Sequence, residues 1–343
     1  MSKITYPFLY KAVELAEYKS NILRSLLSLR WVEKRLESLP DDHLLVKVDA
    51  ASCNPSDIAF LQGAYQVKKP VPAVPGFEAS GTVVDIGAKV LNKTLVGKRV
   101  ACFTQSDAFG TWAEYVVLKP SEILLHDQRF SVQQSAGFFV NPFTAYGLFE
   151  LALEKQSKAI VVNAAGSVVA SWLHAFAKQF GLHIIGIVRN RSTARMLSKK
   201  GWETVLVSSS DGFEEKLRDA LAAYTPIIGF DAVGGEASGQ LIRCLPDSSF
   251  LVVYGGLSAK AIGDIPPLRL IFGEHTIRGF NLNNWLKRAS TEKIELAASV
   301  ITEILLENKD LVSIQAEVSA ENLVEGLKKY LGNMSAGKIL IRF

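Results

Sequence analysis

From Ala159 onward the chain alternates short apolar runs with amphipathic ones, a pattern that few folds can accommodate. Strand-like Ala159 to Val162, His183 to Val188, Thr204 to Val207, Ile227 to Ala232 and Phe250 to Tyr254 recur along it. Between the first four lie helix-like Val168 to Phe180, a stretch from about Ser192 that stops at Gly201, and Phe213 to Ala223. Strands that are each followed by a helix cannot close as hairpins, and the crossovers set them parallel with both faces covered. The fold class is therefore α/β, with a doubly wound parallel sheet whose ligand crevice opens at the strand C-termini.

The first third reads differently. Short β-rich runs, Leu44 to Val48, Ala79 to Val84, Arg99 to Phe103 and Trp112 to Val117, are punctuated by Gly and Pro, and Pro70, Pro72, Pro75 and Gly76 mark one irregular segment. Such spacing predicts a compact, partly open antiparallel barrel. Tyr18 to Leu39 fits a helix as well as a hairpin. Ser131 and Gln134 have capping-box spacing, and the segment running on through Ala145, Leu148 and Leu151 reads as a helix. After the sheet, helical Ile294 to Glu307 and Ala320 to Leu331 lead to a last strand, Lys338 to Arg342.

The 343 residues leave room for two domains and a sizeable core. Lys and Arg number 38 against 34 Asp and Glu, a net charge of +4 with no dense basic block, so a nucleic-acid or anionic-membrane surface is not indicated. Cys53, Cys102 and Cys244 lie far apart without a CxxC, and Met1 to Lys11 lacks the apolar stretch of a signal peptide. Both features lead to the expectation of a cytoplasmic protein. Ala159 to Ala177 is apolar enough to imitate a membrane span, but Asn163, Ser167, Ser171 and His174 interrupt it and Gly166 breaks it. It reads as a strand, a turn and a buried helix.

That turn, Asn163-Ala164-Ala165-Gly166-Ser167-Val168-Val169-Ala170, has the context that a dinucleotide pyrophosphate requires, because N–H groups opening a helix face anions. Only Gly166 remains of the usual glycines. Val168 stands where a glycine would ease phosphate approach. A βα turn carrying one glycine is also ordinary in such sheets, so the segment by itself leaves cofactor binding open. The next strand ends in Arg189-Asn190-Arg191, where an NAD site would place an acid for the ribose 2′-hydroxyl. Guanidiniums there suit a 2′-phosphate, which favours NADP over NAD, against the alternative of a solvated pair at a helix start.

A collinear series of motifs carries a resemblance. It comprises Asn54-Pro55-Ser56-Asp57, Gln62-Gly63-Ala64-Tyr65, Pro75-Gly76-Phe77-Glu78, Gly97-Lys98-Arg99-Val100, Gly110-Thr111-Trp112-Ala113-Glu114-Tyr115, Asn141-Pro142-Phe143-Thr144-Ala145-Tyr146, Val233-Gly234-Gly235, Tyr254-Gly255-Gly256 and Arg278-Gly279-Phe280. In this order the chain resembles the medium-chain dehydrogenase/reductase superfamily, in its zinc-free quinone oxidoreductase and trans-2-enoyl-thioester reductase branches. The resemblance implies a chaperonin-10-like catalytic domain, 1–129 with 283–343, around a Rossmann dinucleotide-binding domain, 130–282. It also implies NADPH and a homodimer.

Zinc-dependent members hold their metal with a Cys and a His where this chain has Asn54 and Phe77, so the thiolate and imidazole that a catalytic zinc needs are missing. Without a metal, an alkene conjugated to a carbonyl still suits the site: it needs hydride at the β-carbon, a donor for the enolate oxygen and a proton for the α-carbon. The resemblance implies Tyr65 for proton supply or substrate orientation, with Asn54 leading into it; a loop aromatic packed on the barrel is the plain alternative. It also places Asn141 and Thr144 near the nicotinamide, with Gly166, Ser167, Val168 and Val169 at the pyrophosphate and Arg189 and Arg191 at the 2′-phosphate. Tyr254, Gly255, Gly256 and Leu257 approach the nicotinamide, Phe280 and Leu282 lie on a following strand that borders the cleft, and Lys338 lies near a cofactor phosphate.

The implied activity is NADPH-dependent reduction of an α,β-unsaturated carbonyl, a 2-enoyl thioester or enone. The alternatives are an NADPH:quinone oxidoreductase and, given Val168, a non-catalytic dinucleotide-binding protein. The partner is then a small-molecule substrate, with neither nucleic acid nor membrane. His174 is set aside as a packed or rim histidine, Cys53 as a small buried residue, and Trp285 to Arg288 as a solvated face.

Overall fold

The computed structural model describes residues 4–224 and 227–343. The chain divides into two compact units, the first running through Val140 and resuming over Leu305–Phe343, the second spanning Asn141–Ile304. These joints stand at 140/141 and 304/305, where the sequence reading draws 129/130 and 282/283.

In the first unit, β1 (Phe8–Leu15) and β2 (Leu29–Leu36) pair antiparallel, and the short helix α1 (Ile22–Leu26) lies between them in sequence. The ambiguous Tyr18 to Leu39 region thus contains both a helical turn and the second arm of a hairpin. The next strands are β3 (Leu44–Cys53), β4 (Glu78–Ile86), β5 (Arg99–Phe103), β6 (Tyr115–Leu118) and β7 (Ile123–Leu125), with helix α2 (Pro55–Leu61) after β3. Strand β3 is the hub of a seven-stranded sheet. It pairs with β4 along most of its length, with β6 at its start, and at its end with Lys338–Arg342, which also binds Ile314–Ser319. The sequence suggests β3 as five residues, Leu44 to Val48. It runs on to Cys53 because Ala50, Ala51 and Cys53 are also fully buried.

The helix read from Ser131 through Leu151 is corrected. It forms two, α3 (Val132–Ala136) and α4 (Val140–Glu154), because Gly137 caps the first and weakens helical continuation. Ser131 and Gln134 do close the capping box.

The second unit holds six parallel strands, β8 (Ala159–Val162), β9 (His183–Val188), β10 (Thr204–Val207), β11 (Ile227–Asp231), β12 (Phe250–Val253) and β13 (Thr276–Gly279), in the order β10-β9-β8-β11-β12-β13. Successive strands are added in one direction from β8 to β10 and in the other from β11 to β13, which makes the C-terminal ends of β8 and β11 the switch point at which such sheets bind ligands. Helices α5 (Val168–Phe180), α6 (Arg191–Lys199), α7 (Phe213–Leu221), α8 (Glu236–Cys244), α9 (Pro267–Phe272) and α10 (Leu282–Arg288) belong to this unit. The core joins Val161, Ile185 and Leu251 from strands to Leu217, Leu221 and Leu241 from helices. The stretch from Ala159 to Ala177 is β8, the turn and most of α5, and no helix among the described residues is long and apolar enough to cross a membrane.

Candidate active site

In the second unit, Ser167 caps α5 in an extended conformation, and its hydroxyl accepts from the Ala170 N–H at 3.2 Å. Partly exposed Val168 and Val169 open the helix, so their N–H groups have no carbonyl one turn earlier within it. The strained backbone of this turn lies at Ala164, with φ 48°, rather than at Gly166. Two polar residues at the strand ends brace it. Buried Asn163 donates to Asp231 at 2.6 Å and accepts from the Ala232 N–H at 2.8 Å, while Asp231 also accepts from the N–H groups of Val233 and Gly234 and from the Ser238 hydroxyl. Sequence reasoning missed this pair. Its signal was present: a single polar residue ending each of two otherwise apolar strands.

Arg189 and Arg191 are exposed, and their guanidiniums form no hydrogen bond or ion pair among the described residues. Asn190 between them caps α6 and accepts from the Thr193 N–H at 2.9 Å. Arg191 therefore opens α6 at the end where a cation is least favoured, an arrangement that an anion would relieve.

Past β12, the N–H of Tyr254 donates to the Asp231 carbonyl at 2.9 Å. A Cβ on Gly255 would stand 2.7 Å from the Ala232 carbonyl, so only glycine lets the two strand ends approach so closely, whereas a Cβ on Gly256 would meet open space. The Tyr254 hydroxyl is buried, with the Ser167 side chain as its polar neighbour. Burial holds this phenol well above its ordinary pKa. A buried phenol with only the Ser167 hydroxyl beside it, next to a helix N-terminus, fits a site that receives a polar ligand. Leu257 is exposed.

Asn141 and Thr144 lie in the first turns of α4, Asn141 buried and Thr144 partly so. Phe280 lies against Gly147, where a Cβ would stand 2.6 Å from its ring. The expectation that Phe280 and Leu282 continue a strand is corrected. Strand β13 stops at Gly279, and Asn281 caps α10 by accepting from the Asn284 N–H, so Leu282 is helical. Trp285 is not on a solvated face either: it is buried, and its indole donates to Glu150 at 2.9 Å. His174 stacks on Trp202 with centroids 4.6 Å apart, a packed histidine.

In the first unit, Asn54 precedes α2 with its side chain buried. Its amide donates to Glu78 at 2.9 Å, and its N–H donates to Asp57 at 2.7 Å. Glu78 is fully buried and also accepts from the N–H groups of Phe139 and Val140, at 2.9 and 2.8 Å, and from the Lys338 ammonium at 2.6 Å. Lys338 thus joins Asn54 at one carboxylate, with its ammonium engaged by Glu78, where the resemblance implies a place near a cofactor phosphate. Asp57 accepts from the Phe77 N–H at 3.1 Å, and burial pushes its carboxyl up to about 7 despite that bond. A Cβ on Gly76, at φ 92°, would lie 2.2 Å from the Trp112 ring, which explains the Pro-Gly before Phe77. Buried Cys53 has its thiol raised well above the ordinary value by burial.

Tyr65 packs on Phe77 with ring centroids 5.3 Å apart, and its hydroxyl accepts from the Gln105 amide at 3.2 Å. Burial raises this phenol, and the Gln105 bond opposes the shift. Nearby Lys69 is almost fully buried and donates to the carbonyls of Val74 and Phe109 at 3.1 and 2.5 Å; burial pulls its amine down to about 8. Neither Gln105 nor Lys69 was apparent from sequence, since a lone glutamine and a lone lysine in loops carry no pattern.

A Rossmann-type sheet and a small barrel in one chain, with a turn suited to phosphate and a buried acid-base cluster, define a class of nucleotide-dependent oxidoreductase. The family described as "Alcohol dehydrogenase GroES-like domain" matches residues 40–127, and "Zinc-binding dehydrogenase" matches 168–299. The chain belongs to the medium-chain dehydrogenase/reductase superfamily, in the branch of enoyl-thioester reductases and quinone oxidoreductases. It is 32% identical to the mitochondrial enoyl-[acyl-carrier-protein] reductase of Arabidopsis thaliana, over 76% of this chain and 71% of that protein. To the Caenorhabditis elegans protein of the same description it is 27% identical, over 84% of each. A crystal structure of a Mesorhizobium loti protein assigned as an NADPH:quinone reductase superposes with TM-score 0.90 at 29% identity, over 99% of this chain and 100% of that one.

The second family's description speaks of zinc, and the donor set here does not fit it. Phe77 offers no ligand atom, the Asn54 amide is engaged by Glu78, and the Lys338 ammonium lies where a second cation would need that carboxylate. Among the described residues no three of His, Cys, Asp and Glu converge on a metal-sized point.

Proposed function

We propose that this protein is an NADPH-dependent reductase of α,β-unsaturated carbonyl compounds, 2-enoyl thioesters or enones, working without a metal. The bound nucleotide supplies the hydride. The observation that carries this reading is Tyr65, a phenol kept protonated by burial and held by Phe77 and Gln105, which suits it to donate to an oxygen that gains negative charge. Asn54 and Lys338 act at one remove: they hold Glu78, and the Asn54 N–H holds Asp57 at the head of the helix that leads to Tyr65.

For the cofactor, the Gly166–Ser167–Val168–Val169 turn would hold the pyrophosphate through the N–H groups of Gly166, Val168 and Val169, that of Ser167 being bonded to the Ala164 carbonyl at 2.8 Å, and Arg189 and Arg191 would hold the 2′-phosphate. Tyr254, Gly255, Gly256 and Leu257, with Asn141, Thr144, Phe280 and Leu282, would hold the nicotinamide end. The relatives named above are enoyl reductases and an NADPH:quinone reductase, which supports the choice of NADPH. Replacing Arg189 by Glu is expected to weaken NADPH at least tenfold more than NADH, since a bidentate charge-assisted contact becomes a repulsion. Fluorescence titration with both nucleotides measures this, and equal losses would remove the 2′-phosphate assignment.

A second reading, an NADPH:quinone oxidoreductase, is favoured by the full-length likeness to the Mesorhizobium loti structure. Side-by-side turnover of crotonyl-CoA and a benzoquinone separates the two. Quinone turnover with no thioester-dependent NADPH oxidation would overturn the first reading.

A homodimer belongs to the same proposal. Strand β13 is a sheet edge, and α9 exposes Leu268, Ile271 and Phe272, at 63%, 64% and 77%. A second copy that pairs at this edge would cover both; a monomeric mass in sedimentation would refute it. Cytoplasmic placement is also proposed, although the Arabidopsis and Caenorhabditis relatives are named mitochondrial, and subcellular fractionation decides it.

A further inference from the structure

The Tyr65 hydroxyl has one hydrogen-bond partner among the described residues, the Gln105 side chain. The direction of that bond matters. The Gln105 amide nitrogen donates, so the phenol oxygen accepts and its own proton is not spent on the protein. A carboxylate or carbonyl in the same place would accept the phenol's hydrogen bond and turn its proton toward the protein, away from a substrate.

The loop that carries Gln105 is fixed independently of Tyr65. The Lys69 ammonium ties the Val74 and Phe109 carbonyls together, and the Tyr18 hydroxyl bonds both the N–H and the carbonyl of Lys69, at 2.8 and 2.9 Å. The Thr104 hydroxyl donates to Glu122 at 2.6 Å and accepts from the Ser106 N–H at 3.1 Å, which anchors the residues on either side of Gln105. Phe77 meanwhile blocks one side of the Tyr65 ring. The donor is therefore preorganised, and the hydroxyl rotor is left with its proton pointing away from Gln105.

We infer that Gln105 is a positioning residue for the reaction, setting the hydrogen-bond polarity of Tyr65 so that its proton is presented to the substrate oxygen. This rests on the proposed role of Tyr65 as proton donor. Gln105 touches neither substrate nor cofactor in this account; it acts through the phenol.

The test is a double-mutant cycle on the full-length protein, with NADPH and crotonyl-CoA, using Gln105→Leu, Gln105→Glu, Tyr65→Phe and Tyr65→Phe combined with Gln105→Leu. NADPH titration confirms that each variant is folded, and the near-isosteric Gln105→Glu keeps the test valid if Gln105→Leu is not. Gln105→Leu is expected to lower kcat about tenfold with KM nearly unchanged, the value of one lost hydrogen bond to the donor. Gln105→Glu should lose more, since the carboxylate accepts the phenol's hydrogen bond and holds its proton away from the substrate, and the loss should lessen at low pH as that carboxylate protonates. In the Tyr65→Phe background, Gln105→Leu should change nothing further. If Tyr65→Phe slows turnover while the Gln105 variants keep the parent kcat, or cost as much without the phenol as with it, the inference falls alone. If Tyr65→Phe leaves kcat unchanged, the proton-donor reading falls and takes this with it.

Discussion

Replacing Lys338 by Met is expected to destabilise the protein by about 3 to 5 kcal/mol, the range for removing one partner of a buried ion pair. Glu78 is 0% and Lys338 3% exposed at the side chain, so no water replaces the lost ammonium. The variant keeps the Asn54, Phe139 and Val140 donors to Glu78, which hold the carboxylate in place but do not cancel its charge. At roughly 2 to 4 °C per kcal/mol, thermal unfolding should show a clear drop in Tm.

The deficit also has a pH signature. Burial raises Asp57 to about 7, and Lys338 is one of the groups that restrain the rise. A carboxyl raised in the folded state favours folding below its unfolded pKa, and that contribution is lost as pH rises through the folded value. Without Lys338 the folded value moves higher and the loss continues past pH 7, so the gap between variant and parent should widen between pH 5 and pH 8. A gap under 1 kcal/mol, or one equal at both pH values, would show that the pair is not central to this unit.

Replacing Tyr65 by Phe is expected to lower kcat on an enoyl thioester about 10² to 10⁴-fold, the usual contribution of a positioned general acid. The substitution removes one oxygen and keeps the ring against Phe77, so folding and NADPH affinity should stay near the parent values. Steady-state kinetics with separate NADPH titration resolves the two effects. Unchanged turnover would remove Tyr65 from the chemistry, and a parallel loss of NADPH binding would point to a structural role instead.

Legibility from the sequence followed the range of the interaction. The turn from Asn163 to Ala170 and the α5 helix could be read because strand, cap and helix lie between Ala159 and Phe180 and each leaves a periodic or capping signal. The Tyr18 to Leu39 region resisted, because its hairpin is closed by Phe8 to Leu15, outside the segment. Leu282 was misassigned for a local reason: Asn281 reads as a strand residue until its side chain is seen to cap the next helix.

Alone, the sequence determined the parallel sheet, the strand–turn–helix around Gly166, the basic pair at Arg189 and Arg191, and the lack of a Cys at Asn54 and a His at Phe77, since all of these depend on residue type and short spacing. Only the tertiary structure decided which polar groups are already spent. Lys338 and Glu78 are 260 residues apart, and Tyr65 and Gln105 are 40 apart. Neither pair leaves a periodic trace, because a hydrogen bond between distant loops is set by where the sheet brings them and not by what surrounds each in the chain.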